Sequence, residues 1–129
     1  MILIMKRILL LIILSATAQL SLQAQIAITT SIKFDKTIHD FGDVKQGDSA
    51  VYVFEFTNTG KDDLKIAEVK STCSCTASDW PKEPIAPGKK GSIRVSFDTK
   101  DKEGYYAKGV NIFSNAGESN LIIDIHVIP

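Results

Sequence analysis

Ala50–Gly60 reads AVYVFEFTNTG. Tyr52, Phe54 and Phe56 fall on alternate positions, and Val51, Val53, Glu55 and Thr57 fill the places between them. Side chains of an extended chain point to opposite faces in turn, so this run predicts a strand with one aromatic face and one mixed face. Asn58-Thr59-Gly60 brings turn-forming residues and closes it.

The same period recurs outward from there. In Gly91–Thr99, Ile93, Val95 and Phe97 oppose Ser92, Arg94, Ser96 and Asp98; in Asn120–Ile128, Leu121, Ile123, Ile125 and Val127 oppose Asn120, Ile122, Asp124 and His126. Shorter strands are expected at 32–34, 37–41, 64–70 and 105–113. Gly42, Gly47, Gly104, Gly109 and Asn115-Ala116-Gly117 punctuate these runs. A sheet with one apolar and one wet face must be covered by another, which predicts an all-β, immunoglobulin-like antiparallel β-sandwich of about seven strands. About fourteen large apolar side chains share the inner faces, each contributing ~1.5–3 kcal/mol on burial, most of it offset by chain entropy. Pro81, Pro84 and Pro87 exclude a central strand, so this segment is expected to connect the two sheets and end in the turn Ala86–Gly91. The last strand, 119–128, reads as a long apolar edge that would invite pairing if left bare.

The N-terminus has a different logic. Lys6 and Arg7 precede the aliphatic run Ile8–Leu14, and Ala16-Thr17-Ala18 follows. This is the order of a secretory signal peptide, and the run is shorter than the roughly 20 apolar residues a spanning helix needs. The expected organisation is a signal peptide over 1–18 (or to Ala24, the second cleavage position), a lead-in over 19–31 and one sandwich domain over 32–129. No cysteine follows the apolar run, so a lipid anchor is not expected, nor is stable membrane insertion after cleavage. Without Lys6 and Arg7, 13 basic side chains stand against 15 acidic ones, a net charge of −2. Nucleic acid and anionic membrane surfaces both select a basic excess, so neither is the expected partner.

Several short pieces taken together are specific: His39-Asp40-Phe41-Gly42, Phe56–Gly60, Leu64-Lys65-Ile66, Cys73-Ser74-Cys75-Thr76, Ile85-Ala86-Pro87-Gly88 and Val95-Ser96-Phe97-Asp98. Over about residues 34–128 the chain resembles the secreted bacterial domain of unknown function 1573. That family often has glycine where Ser74 stands. The resemblance implies an immunoglobulin-like sandwich, akin to the sperm-protein and cilia-associated sandwich domains, and implies no activity.

Cys73 and Cys75 are the chain's only cysteines. In an extended strand their Cα atoms would lie about 6.5–7 Å apart, at the outer limit for a disulfide, so a bridge requires the chain to curl at Ser74. Four readings stay open: a local disulfide formed in an oxidising compartment; two reduced thiols packed as small apolar groups; a Cu(I) site built on two thiolates; and redox exchange or an intermolecular bridge. Zinc fits less well, because it wants four ligands. The redox reading lacks the two-residue spacing and the helix that lower a thiol's pKa.

His39 is expected to be an edge-strand residue with a local hydrogen bond, since adjacent Asp40 points the other way. His126 is expected to share the outer face with Asp124 as a surface ion pair. Trp80 is either an interface anchor or a plug for the open end of the sandwich. Tyr105 and Tyr106 are interaction candidates that should point to opposite faces, the outer ring beside Lys108 being either a sticky contact or a plain edge residue. No catalytic constellation, phosphate loop or cofactor motif can be placed. The expected function is a non-catalytic secreted or periplasmic module whose partner is a protein or a cell-envelope component. The alternative is a thiol-dependent envelope factor that uses Cys73 and Cys75 for copper handling or disulfide exchange.

Overall fold

In a computed structural model that describes residues 1–17 and 29–129, the alternating runs pair into two four-stranded sheets. The first orders as β1 (Ile32–Phe34), β3 (Ser49–Asn58), β6 (Lys90–Asp98) and β5 (Thr76–Asp79); the second as β2 (Ile38–Lys45), β8 (Gly117–Ile128), β7 (Gly104–Ser114) and β4 (Ile66–Ser71). The helix α1 spans Ile2–Thr17, and no described helix is long and apolar enough to cross a membrane. Both cleavage positions, after Ala18 and after Ala24, lie outside the described residues.

The inner faces follow the alternation. Phe54, Phe56, Ile93, Val95 and Phe97 from the first sheet meet Val110, Ile112, Leu121, Ile123, Ile125 and Val127 from the second, all at most 2% exposed. Val51 and Val53 take the outer face at 37% and 43% exposed. Register in the long hairpin β7–β8 is unbroken from Gly104↔Val127 to Ser114↔Gly117, so Leu121, Ile123, Ile125 and Val127 all stay on the core side.

Four expectations need correction. There are eight strands, because Thr76–Asp79 pairs with Phe97–Arg94 on β6. The sandwich is not wholly antiparallel, because β2 runs parallel to β8. It follows that β8 is no edge: it lies between β2 and β7, and its apolar length suits a central strand. Finally, the proline segment joins β5 to β6 within the first sheet, whereas the cysteine turn carries the chain from β4 in one sheet to β5 in the other. The proline segment earns its place by a two-way backbone bridge, Leu64 N–H to Ile85 O at 2.8 Å and Ile85 N–H to Leu64 O at 2.9 Å, with both side chains buried.

Asn58 ties these pieces together. Its side chain is fully buried; Nδ2 donates to Asp62 O and to Ile85 O, both at 2.8 Å, and Oδ1 accepts from Gly60 N–H at 2.9 Å. Gly60 is required by close approach: a Cβ there would lie 2.5 Å from Ser31 N and 2.7 Å from Thr29 O. Thr29 to Ser31 are thus part of the packed domain, and Thr30 Oγ1 donates to Asn115 O at 2.7 Å.

Candidate interaction surfaces

The second sheet presents an open cleft of about 480 Å³ lined by Asp40, Asp43, Tyr105, Asp124 and His126. A bulge builds it. Asp40 pairs with Asp124 and Asp43 with His126, so three steps on β2 match two on β8. The extra residue is accommodated at Gly42, whose φ of +64° suits glycine. Because of that step Asp40 and Asp43 both face outward while Phe41 and Val44 face the core. His126 Nδ1 lies 2.7 Å from Asp43 Oδ1. Its hydrogen-bond partner is therefore Asp43 from β2 rather than Asp124, which lines the same cleft. The Tyr105 ring stacks on His126 with centroids 3.9 Å apart and leaves its other face open, at 83% exposure.

Tyr106 turns inward and packs near Phe97, its hydroxyl donating to Glu103 O at 3.1 Å. Lys108 accompanies this inner ring, with Nζ 5.7 Å from the Tyr106 centroid, and not the outer ring. His39 also turns inward. It stacks on Tyr52 at 3.6 Å and meets Phe41 edge-on at 4.6 Å. The expected local hydrogen bond is absent among the described residues: Nδ1 is buried without a partner. Burial, then the nearby Lys36 charge, lower its pKa below the ordinary histidine value of 6.5, with Asp40 opposing in part.

Cys73 and Cys75 form a close, half-buried pair in the turn between β4 and β5. Their Cα atoms are 5.3 Å apart, within disulfide reach. The curl at Ser74 supplies this approach: Cys75 N–H donates to Cys73 Sγ and Thr76 N–H to Cys73 O. Among the described residues no group of three or more His, Cys, Asp or Glu is arranged to hold a metal ion. Trp80 follows β5. It packs in part against the core and also lines a shallow outer hollow with Val53, Pro81, Ser92 and Arg94. The Lys82 ammonium sits 2.9 Å from its centroid.

The sheet edges give the clearest asymmetry. β1 covers β3 only from Phe56 to Asn58, with one further bond from Asp35 N–H to Glu55 O. From Phe54 back to Ser49, β3 has no strand neighbour on that side among the described residues. The bonds fix which groups are free. Glu55, Thr59 and Lys61 bond toward the β1 side, whereas Asn58 N–H bonds to Lys89 at the β6 side. By that alternation Ser49, Val51 and Val53 offer N–H and C=O to the open edge. Every other uncovered strand segment among the described residues carries a charge: Lys33 on β1, Asp40 and Lys45 on β2, Glu68 and Lys70 on β4, Asp79 on β5, Lys90 on β6, Lys108 on β7 and Glu118 on β8. Ser49–Phe54, SAVYVF, has no charge and no proline. It lacks the usual protection of an edge strand.

Comparison with known proteins agrees with the fold. No curated protein matches. A protein of unknown function from Porphyromonas gingivalis W83 superposes with a TM-score of 0.68 at 16% identity, covering 82% of this chain and 51% of that one. This chain thus spans about half of that protein's length. The PapD-like domain 7 of human CEP192 superposes at 0.66 with 12% identity, covering 78% and 87%. The secreted serine protease VesC of Vibrio cholerae matches over only 23% of its own chain, at a TM-score of 0.54 and 16% identity, so it shares the sandwich and no more. The profile of the DUF1573 family, proteins of unknown function, matches residues 32–128, and the chain belongs to that family.

Proposed function

We propose that the chain is a non-enzymatic module of the cell envelope, secreted or periplasmic, that binds by accepting an extended protein segment at the free edge of β3. The observation that carries this reading is the uncharged, uncovered stretch Ser49–Phe54, with alternate backbone groups turned to solvent and two half-exposed valines beside them. Strand addition uses such groups for affinity and the flanking side chains for selection. The N-terminal order of charge, aliphatic run and small residues supports export, with residues 1–18 as signal and the sandwich as the working part. The copper or disulfide-exchange alternative rests on the cysteine pair alone.

Val51→Pro tests the reading. It deletes an N–H that faces the open edge and leaves the β3–β6 ladder, which uses the even-numbered residues, intact. A native pull-down from envelope extract should lose its specific captures with this variant while the melting temperature is kept. Identical captures by wild type and variant would refute edge docking.

A further inference from the structure

We infer that the free edge of β3 pairs with the same edge of a second copy of this chain, antiparallel about a two-fold axis through Val51. This deepens the edge-docking reading and rests on it; it adds the identity of the partner.

The register follows from what bounds the edge. At one end Asp35 N–H already occupies Glu55 O. At the other the chain turns at Gly47, with φ of +91° and Asp48 N–H bonded to Lys45 O. Three residues lie between with edge-facing groups: Ser49, Val51 and Val53. An axis through Val51 sets Ser49 opposite Val53 of the second copy, Val51 opposite Val51, and Val53 opposite Ser49. All edge-facing groups on both copies then find partners. Shifting the axis to Tyr52 sets Ser49 against Glu55, which Asp35 holds. Shifting it to Ala50 sets Val53 against the turn at Gly47. Axes between residues pair an edge-facing residue with one bonded to β6. Only the Val51 axis fills the edge.

Side chains agree with this register. On the outer face the exposed Val51 side chains meet across the axis, each flanked by Val53 of the other copy. At each end Asp48 comes opposite Phe54, where Lys36 leaves the edge; Asp48 and Lys36 are both exposed, and Lys36 Nζ sits 5.7 Å from the Tyr52 ring. The symmetry therefore brings one acid–base pair together twice. Such an interface is isologous, with one patch serving both copies. The contact is short, so a weak, concentration-dependent dimer is expected rather than an obligate one.

The test exploits self-opposition at position 51. Light scattering and native mass spectrometry of the purified chain over ~10 μM to ~1 mM should give a monomer–dimer equilibrium, a window set by the weak affinity expected of a small interface. V51K and V51E place like charges directly across the axis and should each weaken association about tenfold or more. An equimolar mixture of V51K and V51E should restore it as a mixed dimer. Unchanged melting temperatures confirm that each variant folds. A wild type that stays monomeric throughout, single variants that associate as wild type does, or a mixture without recovery would each overturn the second copy as partner. None of these results touches the Val51→Pro pull-down, which judges edge docking on its own.

Discussion

Replacing Asn58 by alanine should cost a large share of the domain's stability. The side chain is fully buried and makes three hydrogen bonds, to Gly60 N–H, Asp62 O and Ile85 O. Asn58→Ala removes the partner of Gly60 N–H and of Asp62 O, takes one of two bonds from Ile85 O, which keeps Leu64 N–H, and opens a small void. At about 0.5–1.5 kcal/mol for each of the three hydrogen bonds, the loss is about 2–4 kcal/mol. A domain of this size holds only about 5–15 kcal/mol in total. The melting temperature should fall by roughly 10–30 °C, at ~4–8 °C per kcal/mol. Urea unfolding followed by tryptophan fluorescence gives the free energy directly, since Trp80 is the only tryptophan. Asn58→Asp is the shape-preserving control. It retains the acceptor for Gly60 but aims a second carboxylate oxygen at two carbonyls, so at neutral pH it should be at least as damaging. A loss below about 1 kcal/mol for Asn58→Ala would refute the reasoning, because a replaceable turn residue behaves that way.

Other perturbations test other joints. Gly60→Ala puts a methyl into the backbone of Thr29–Ser31 and should cost ~1–3 kcal/mol by overpacking, read by the same urea titration; a neutral outcome would mean that the lead-in does not pack there. His39 is held neutral by a lowered pKa, so the unfolded chain binds the extra proton first as pH falls. Stability should therefore decline below about pH 6.5 and level off below the folded pKa, and His39→Phe should remove that part of the pH dependence; identical pH profiles would contradict it. Replacing both Cys73 and Cys75 by serine removes a close pair whose bridge would close almost no chain, and should cost under about 2 kcal/mol with the fold kept; wholesale unfolding would make the pair a structural pin.

The alternation in Ala50–Gly60 and its counterparts was enough to place seven strands, and the inward faces of three of them, because side-chain period is a local property. Neighbour relations were not legible. The apolar length of β8 looks the same whether the strand is an edge or is flanked, and only β2, arriving in parallel from some 80 residues away, decides it. Thr76–Asp79 was hidden because four residues between a cysteine turn and a proline carry too little pattern to read as a strand. Asn58 looked like a turn residue because turn and buried hub favour the same side chain; its partners Asp62 and Ile85 come together only in the folded chain. In the Tyr105 cleft, the sequence put Asp124 beside His126 by spacing, but Asp43 reached the histidine through the bulge at Gly42, a backbone detail with no side-chain signature.

Amide hydrogen exchange along Ser49–Phe54 at high dilution reports whether the edge of β3 is free. The account predicts an alternating profile, with Ser49, Val51 and Val53 exchanging fast and Ala50, Tyr52 and Phe54 protected by β6. Uniform protection at all six amides in the dilute monomer would mean that the chain covers this edge itself, and the account would be wrong.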